Sequence, residues 1–286
     1  MTTILETATH AGESGHWYTQ DGKQVTLVEG VRGQRLAPTL VHARKLNLGP
    51  GVTTIMKAGG TPPGLERWKL RQSVLSALTL PRRDGEWDAA YLSRIAADGR
   101  AQARKAAEIG IEIHAAVQED ILGMAKPSRW TPWVEAIRKE LAYRSEPDDT
   151  YLSEWSCSHQ SGYGTKADVV VPDRWLVDIK TKDSLDGVRV WAEHAMQLAA
   201  TSKALEEHNL KVPRHAILFV SRNEPECKWV TLTPQEIERG WEMFQHLLGF
   251  WQAKNRHYPD WSEVPIDIEE ESSDKPYDDR AASHWG

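Results

Sequence analysis

Asp168 stands directly before the apolar run Val169-Val170-Val171, and Asp178 and Lys180 close a second run, Trp175-Leu176-Val177-Asp178-Ile179-Lys180. Residues i and i+2 of a strand project to the same face, so Asp178 and Lys180 extend side by side if this run is a strand. Pro172-Asp173 between the runs is a turn signal that folds them into a hairpin. The hairpin brings Asp168 within reach of Asp178. Two converging carboxylates suit a hard divalent cation, Mg2+ above all, which takes oxygen ligands and keeps several waters. A lysine beside such an ion can orient or deprotonate a water. These are the parts of metal-assisted phosphodiester hydrolysis. Taken alone, Asp178-Ile179-Lys180 reads equally well as a solvated strand end.

Three further segments bear on the choice. Gly110-Ile111-Glu112-Ile113-His114 lies in a long helical stretch, where Ile109, Ile113, Ala116 and Val117 recur at helical spacing. His114 falls on or near that stripe, as a buried core histidine or as a ligand. Glu119, five residues on, falls on another face. Glu154 sits in Tyr151 to Trp155, a run able to pair with the hairpin, either as an exposed strand glutamate or as a group beside a second metal or a metal-bound water. Gln197 lies on an amphipathic helix read over 190–205, as a structural amide or as a group that positions the lysine or a phosphate.

In order and spacing, His114, Asp168, Asp178, Lys180 and Gln197 resemble the PD-(D/E)XK nuclease superfamily, in its RecB-type and phage exonuclease-like branch. The resemblance spans roughly residues 105 to 205. Gly15-His16-Trp17-Tyr18 and Gly51-Val52-Thr53-Thr54-Ile55 add a looser likeness to phage exonucleases. It implies that His114, Asp168, Asp178 and the backbone carbonyl of Ile179 hold Mg2+, with Mn2+ able to substitute. It implies roles for Lys180, Glu154 and Gln197 in catalysis. The family pattern Gln-x-x-x-Tyr departs here to Gln197-Leu198-Ala199-Ala200-Thr201, which removes the aromatic ring. The expected activity is a DNA nuclease, most simply an exonuclease working in recombination, replication or repair; a structure-specific endonuclease or a silent DNA-binding module would use the same fold. The expected partners are DNA and a single-strand annealing or other recombination or replication protein. Ring formation by some members makes homo-oligomerisation a further expectation.

The two cysteines, Cys157 and Cys227, suit a reducing compartment and cannot supply a four-cysteine iron–sulfur cluster. No run reaches the length of a membrane span, and Met1 to Gly15 lacks the apolar segment of a secretory signal, so a cytoplasmic protein is expected, in the host cytoplasm if phage-encoded. The net charge of −6 is concentrated: residues 260–286 hold nine acidic and two basic groups, which leaves the rest near neutral. Basic side chains gather at Arg67, Lys69 and Arg71, and at Lys166 and Lys182 beside the candidate site. These are candidate phosphate contacts, since phosphate neutralisation supplies most sequence-independent affinity. Trp68 and Trp191 are candidates for base stacking.

The elements that must position these groups follow from pattern. Helices are expected over 63–80, 89–122, 132–144, 190–205 and 234–254, and strands over 24–29, near 151–156, 163–171, 174–180, 215–221 and 228–232. The order helix, three strands, helix, strands predicts an α/β fold, a restriction-endonuclease-like core with a small mixed β-sheet flanked by helices. The expected organisation is a loop-rich arm (1–50), a nuclease domain with an N-terminal helical extension (51–258) and an acidic C-terminal tail (259–286).

Overall fold

A computed structural model describes residues 3–8, 17–30, 32–61 and 63–261. In chain order its elements are β1 (Ile4–Ala8), β2 (Trp17–Tyr18), β3 (Gln24–Glu29), β4 (Arg35–Leu36), α1 (Leu40–Leu46), β5 (Gly49–Pro50), α2 (Val52–Met56), α3 (Pro63–Thr79), α4 (Asp88–Ile121), α5 (Thr131–Ala142), β6 (Leu152–His159), β7 (Tyr163–Val171), β8 (Trp175–Lys182), α6 (Ala192–Glu207), β9 (Arg214–Ser221), β10 (Cys227–Leu232) and α7 (Pro234–Asn255). The α/β class and the mixed sheet between helices are as expected.

The central sheet has the order β10-β9-β8-β7-β6. Only β8 and β9 run parallel; the other pairs are antiparallel. β9 carries Ala216-Ile217-Leu218-Phe219-Val220, all fully buried, because helices cover both faces of this inner strand. On one face Val169, Val171, Val177, Ile179 and Leu218 pack with Ile113 and Val117 of α4 and Ile137 and Leu141 of α5. On the other, Val170, Leu176, Ile217 and Phe219 pack with Leu198 and Leu205 of α6 and Phe244 and Leu248 of α7. α6 is buried nearly all round, which an amphipathic reading of it did not anticipate.

The loop-rich arm expected over 1–50 contains a second sheet, ordered β1-β3-β2-β5 with β4 on β3. β3 appears at the expected limits, while the two-residue strands are too short to announce themselves by alternation. A bridge between Gly51 and Gly164 ties this sheet to β7. A Cβ on Gly164 would lie 2.2 Å from the Tyr18 side chain, so only glycine permits that approach. Gly15, His16 and the acidic tail from residue 262 lie outside the described residues. Pro259 to Trp261 belong to the body: Trp261 is buried, and its Nε1 donates to Asn47 O at 2.9 Å.

α7 begins with a reciprocal cap: Thr233 Oγ1 accepts from Glu236 N at 3.2 Å, and Thr233 N donates to Glu236 Oε2 at 2.7 Å. It crosses α6 closely at Gly240, where a Cβ would lie 2.5 Å from Ala195 O. Gly240→Ala should therefore push α7 off α6 and destabilise the protein by about 1–3 kcal/mol. Gly249, on the same helix, has nothing within 4 Å of its missing Cβ, so Gly249→Ala should raise stability by up to about 1 kcal/mol. Thermal melts of both variants check the pair of signs.

Candidate metal and phosphodiester site

β7 and β8 pair at Val171–Trp175, Val170–Leu176 and Val169–Val177, and then the ladder opens. The turn ahead of it uses Pro172 and the left-handed Asp173 (φ 59), closed by Arg174 N donating to Val171 O at 3.0 Å. The next facing pair is Asp168 and Asp178. There the side chain of Asp168 replaces the ladder: its Oδ2 accepts from Ile179 N at 2.7 Å. In a strand the N–H and C=O of one residue point to the same side. The Ile179 carbonyl is thereby aimed into the same opening.

A second irregularity decides which way Asp168 points. Ala167 and Val170 both pack in the cluster under α6 and α7, although three residues apart, while Val169 packs under α4. β6 shows the same break, with Leu152 and Cys157 on one face. The alternation resets at Glu154, which faces Asp168 in the register and has φ 54. A left-handed glutamate costs roughly 1–2 kcal/mol. Asp168 thus shares the α4 face with Val169, and meets His114, which α4 presents above the sheet.

His114 Nδ1 lies 3.6 Å from Asp168 Oδ1 and 3.8 Å from Glu154 Oε1. His114, Glu154 and Asp168 offer ligand atoms that all lie within 4.8 Å of one another. Asp178, on the opposite face of the fork, is held separately. Its Oδ1 accepts from Lys180 Nζ at 2.9 Å and from Gln197 Nε2 at 2.8 Å, and Lys180 also donates to Gln197 Oε1 at 3.1 Å. Lys180 Nζ is also 2.8 Å from Asp178 Oδ2, but that oxygen, fully buried, has no hydrogen bond of good geometry and keeps a lone pair open.

Electrostatics follow from this placement. Burial alone would keep His114 neutral, but the carboxylates of Asp168 and Glu154 outweigh it and lift its pKa to about 10. Asp178 is pushed up to about 6 by burial, with Lys180 pulling it down and Asp168 adding to the rise. Asp168 sits below the usual carboxylate range: burial raises it, and His114, Lys180 and the Ile179 N–H overcome that. Lys180 is raised, because Asp178 and Asp168 outweigh its burial. Three carboxylates, Glu154, Asp168 and Asp178, thus face His114, Lys166 and Lys180.

The expected residues thus fall into two groups, one on each side of the fork. His114, Glu154 and Asp168 form one group, and Asp178, Lys180 and Gln197 the other. Glu154 is an expected candidate, but its left-handed backbone is not, since glutamate gives no cue for a positive φ. Among the expected phosphate contacts, Lys182 follows Lys180 on the same face of β8, half-buried, its Nζ 6.0 Å from the Phe219 ring centroid. Lys166 is mostly buried and pairs with Glu154 at 2.5 Å. Arg67, Lys69 and Arg71 are exposed on α3, which reaches the end of β8 where Trp68 Nε1 donates to Asp183 Oδ2 at 3.4 Å. Trp191 is exposed, with the Arg189 guanidinium 4.3 Å over its ring.

The donor set fits a hard divalent cation. It offers carboxylate oxygens from Glu154 and Asp168, the open Oδ2 of Asp178 and one imidazole, a mix suited to Mg2+ or Mn2+.

No protein-family model and no curated protein sequence matches the chain. Its fold is similar to those of solved exonucleases. A crystal structure of a proposed exonuclease from Eubacterium rectale aligns over 55% of this chain and 72% of its own, with 15% identity and a TM-score of 0.35. An alkaline exonuclease from Laribacter hongkongensis aligns over 67% of this chain and 94% of its own, with 11% identity and a TM-score of 0.33. The same enzyme in complex with dAMP gives 13% identity and a TM-score of 0.30. Likeness at this level transfers no residue roles.

The raised His114 sets a pH dependence for the metal-free protein. A histidine whose folded pKa lies above its unfolded value of 6.5 stabilises fully below that pH, and the contribution is lost as pH rises through about 10. Between pH 7 and 9, in EDTA, stability should fall by on the order of 1 kcal/mol per pH unit. His114→Asn should flatten that slope. Thermal melts across the range check it.

Proposed function

We propose that the protein is a divalent-metal-dependent nuclease acting on DNA, most simply an exonuclease. The observation that carries the reading is the opened fork, with carboxylates on both lips and the Lys180 ammonium clamped at its edge by Asp178 and Gln197. An ordinary hairpin would close its ladder there.

Glu154, Asp168 and His114 would hold Mg2+ or Mn2+, with Asp178 and the Ile179 carbonyl as further candidate ligands. When bound, the ion supplies charge that polarises a phosphodiester and acidifies a water. Lys180 places its ammonium beside that point, where negative charge grows in the transition state. Gln197 fixes the lysine and Asp178 relative to each other, which removes a search over rotamers at the moment of reaction. Lys182 and the α3 row of Arg67, Lys69 and Arg71 would neutralise phosphates along the strand, and Trp68 and Trp191 offer faces for bases. Work in recombination, replication or repair of a phage or host genome, in the cytoplasm and beside an annealing or replication protein, belongs to the same proposal. Among the described residues no helix is long and apolar enough to cross a membrane.

Asp178→Asn should reduce Mg2+-dependent cleavage at least 100-fold, while DNA affinity stays within a few-fold, because phosphate contacts remain. Lys180→Ala should lower turnover with little change in metal affinity. The assay is digestion of end-labelled linear and covalently closed circular DNA, single- and double-stranded, with and without Mg2+. Near-normal turnover by Asp178→Asn would overturn the site, and cutting of closed circles as fast as linear DNA would replace the exonuclease by an endonuclease.

A further inference from the structure

Glu154 is gripped at both oxygens. Oε1 faces His114 Nδ1 at 3.8 Å, and Oε2 meets Lys166 Nζ at 2.5 Å. The Glu154 and Lys166 side chains are only 5% and 17% exposed. Lys166 lies two residues before Asp168 on β7 and so projects from the same face, diagonal to Glu154 across the β6–β7 ladder. Its ammonium is thus spent inside the cluster. The backbone at Glu154 (φ 54) is one a glutamate adopts only when its surroundings compel it. Two side-chain grips are on hand to compel it, and of these only Lys166 makes close contact.

We propose that Lys166 is a positioning residue for the metal site: its ammonium holds the strained Glu154 in the pose that turns Oε1 toward His114 and Asp168. This rests on the reading of His114, Glu154 and Asp168 as a metal site. It departs from the expectation that Lys166 contacts DNA. The rival roles differ in sign as well as in size. A lysine that merely occupied the place of a cation would repel the metal, and its removal would tighten metal binding. A lysine that contacted DNA would leave metal binding alone.

The test is Mn2+ binding to the full-length protein without DNA, by isothermal titration and by electron paramagnetic resonance. Lys166→Met keeps the apolar stem and removes the charge. It should weaken Mn2+ binding by roughly 10- to 100-fold, the usual effect of losing a group that orients a ligand. Lys166→Arg should restore most of the affinity. In a Glu154→Gln background Lys166→Met should add nothing further, since the lysine acts through that carboxylate. Turnover of Lys166→Met should recover at high Mn2+, with KM for DNA unchanged. If Lys166→Met folds poorly, Lys166→Gln, which keeps a donor for Oε2, gives the same test with an expected loss of about 3- to 10-fold. Tighter Mn2+ binding by the variants, or unchanged binding with a raised KM for DNA, would overturn the proposal while leaving the metal site standing. A wild-type protein that binds no Mn2+ would overturn the metal reading, and the positioning role with it.

Discussion

The hydrogen bond from the Ile179 amide to the Asp168 carboxylate carries the architecture of the site, because it stands where a backbone carbonyl would otherwise close the sheet. A ladder that simply ended would leave a buried N–H without a partner, at a cost of about 1–3 kcal/mol. The aspartate removes that penalty and keeps the strands apart in one stroke. On its other edge β8 pairs in parallel with β9 along its whole length, so the opening lies between β7 and β8 alone, a notch lined with backbone as well as side chains. The carboxylates then approach from opposite faces of one sheet. Helix α4 serves one face and α6 the other, so the notch is built by the layered fold as a whole.

Carboxylates and cations are interleaved through the notch. Glu154, Asp168 and Asp178 crowd together, and the effect on Asp178 is plain: burial and a neighbouring carboxylate lift it to about 6 even with a lysine in contact. His114 shows the converse, drawn to about 10 by the same crowding. Asp178 reports its burial first, and Asp168, held below the usual range, reports the cations beside it. On the proposed metal reading, His114 would have to give up the proton it otherwise holds in order to serve as a ligand.

The sequence made the elements legible wherever a run was long enough to show a period. The helix expected over 234–254 appears as Pro234–Asn255, and the strand over 163–171 appears at those limits. Asp178, Lys180 and Gln197 were readable because their spacing along a strand and a following helix is a local matter. The two-residue strands of the N-terminal sheet were not, since alternation has no meaning over so short a run; their pairing depends on contacts with β7 that sequence distance hides. Glu154 was a candidate through the family resemblance, but its left-handed backbone escaped for a different reason. The residue faces Asp168 across the ladder and pairs with Lys166, contacts that no propensity at residue 154 foretells.

That backbone has a consequence for anyone improving the protein by directed evolution. Asparagine and glycine accept a left-handed conformation far more readily than glutamate does. A screen for heat resistance alone would therefore tend to accept one of them at position 154, and would enrich variants that are sturdier and stripped of a carboxylate. If Glu154 serves the metal as proposed, selection for survival and selection for turnover point in opposite directions at this single residue, which makes it a sensitive place to watch the trade between the two.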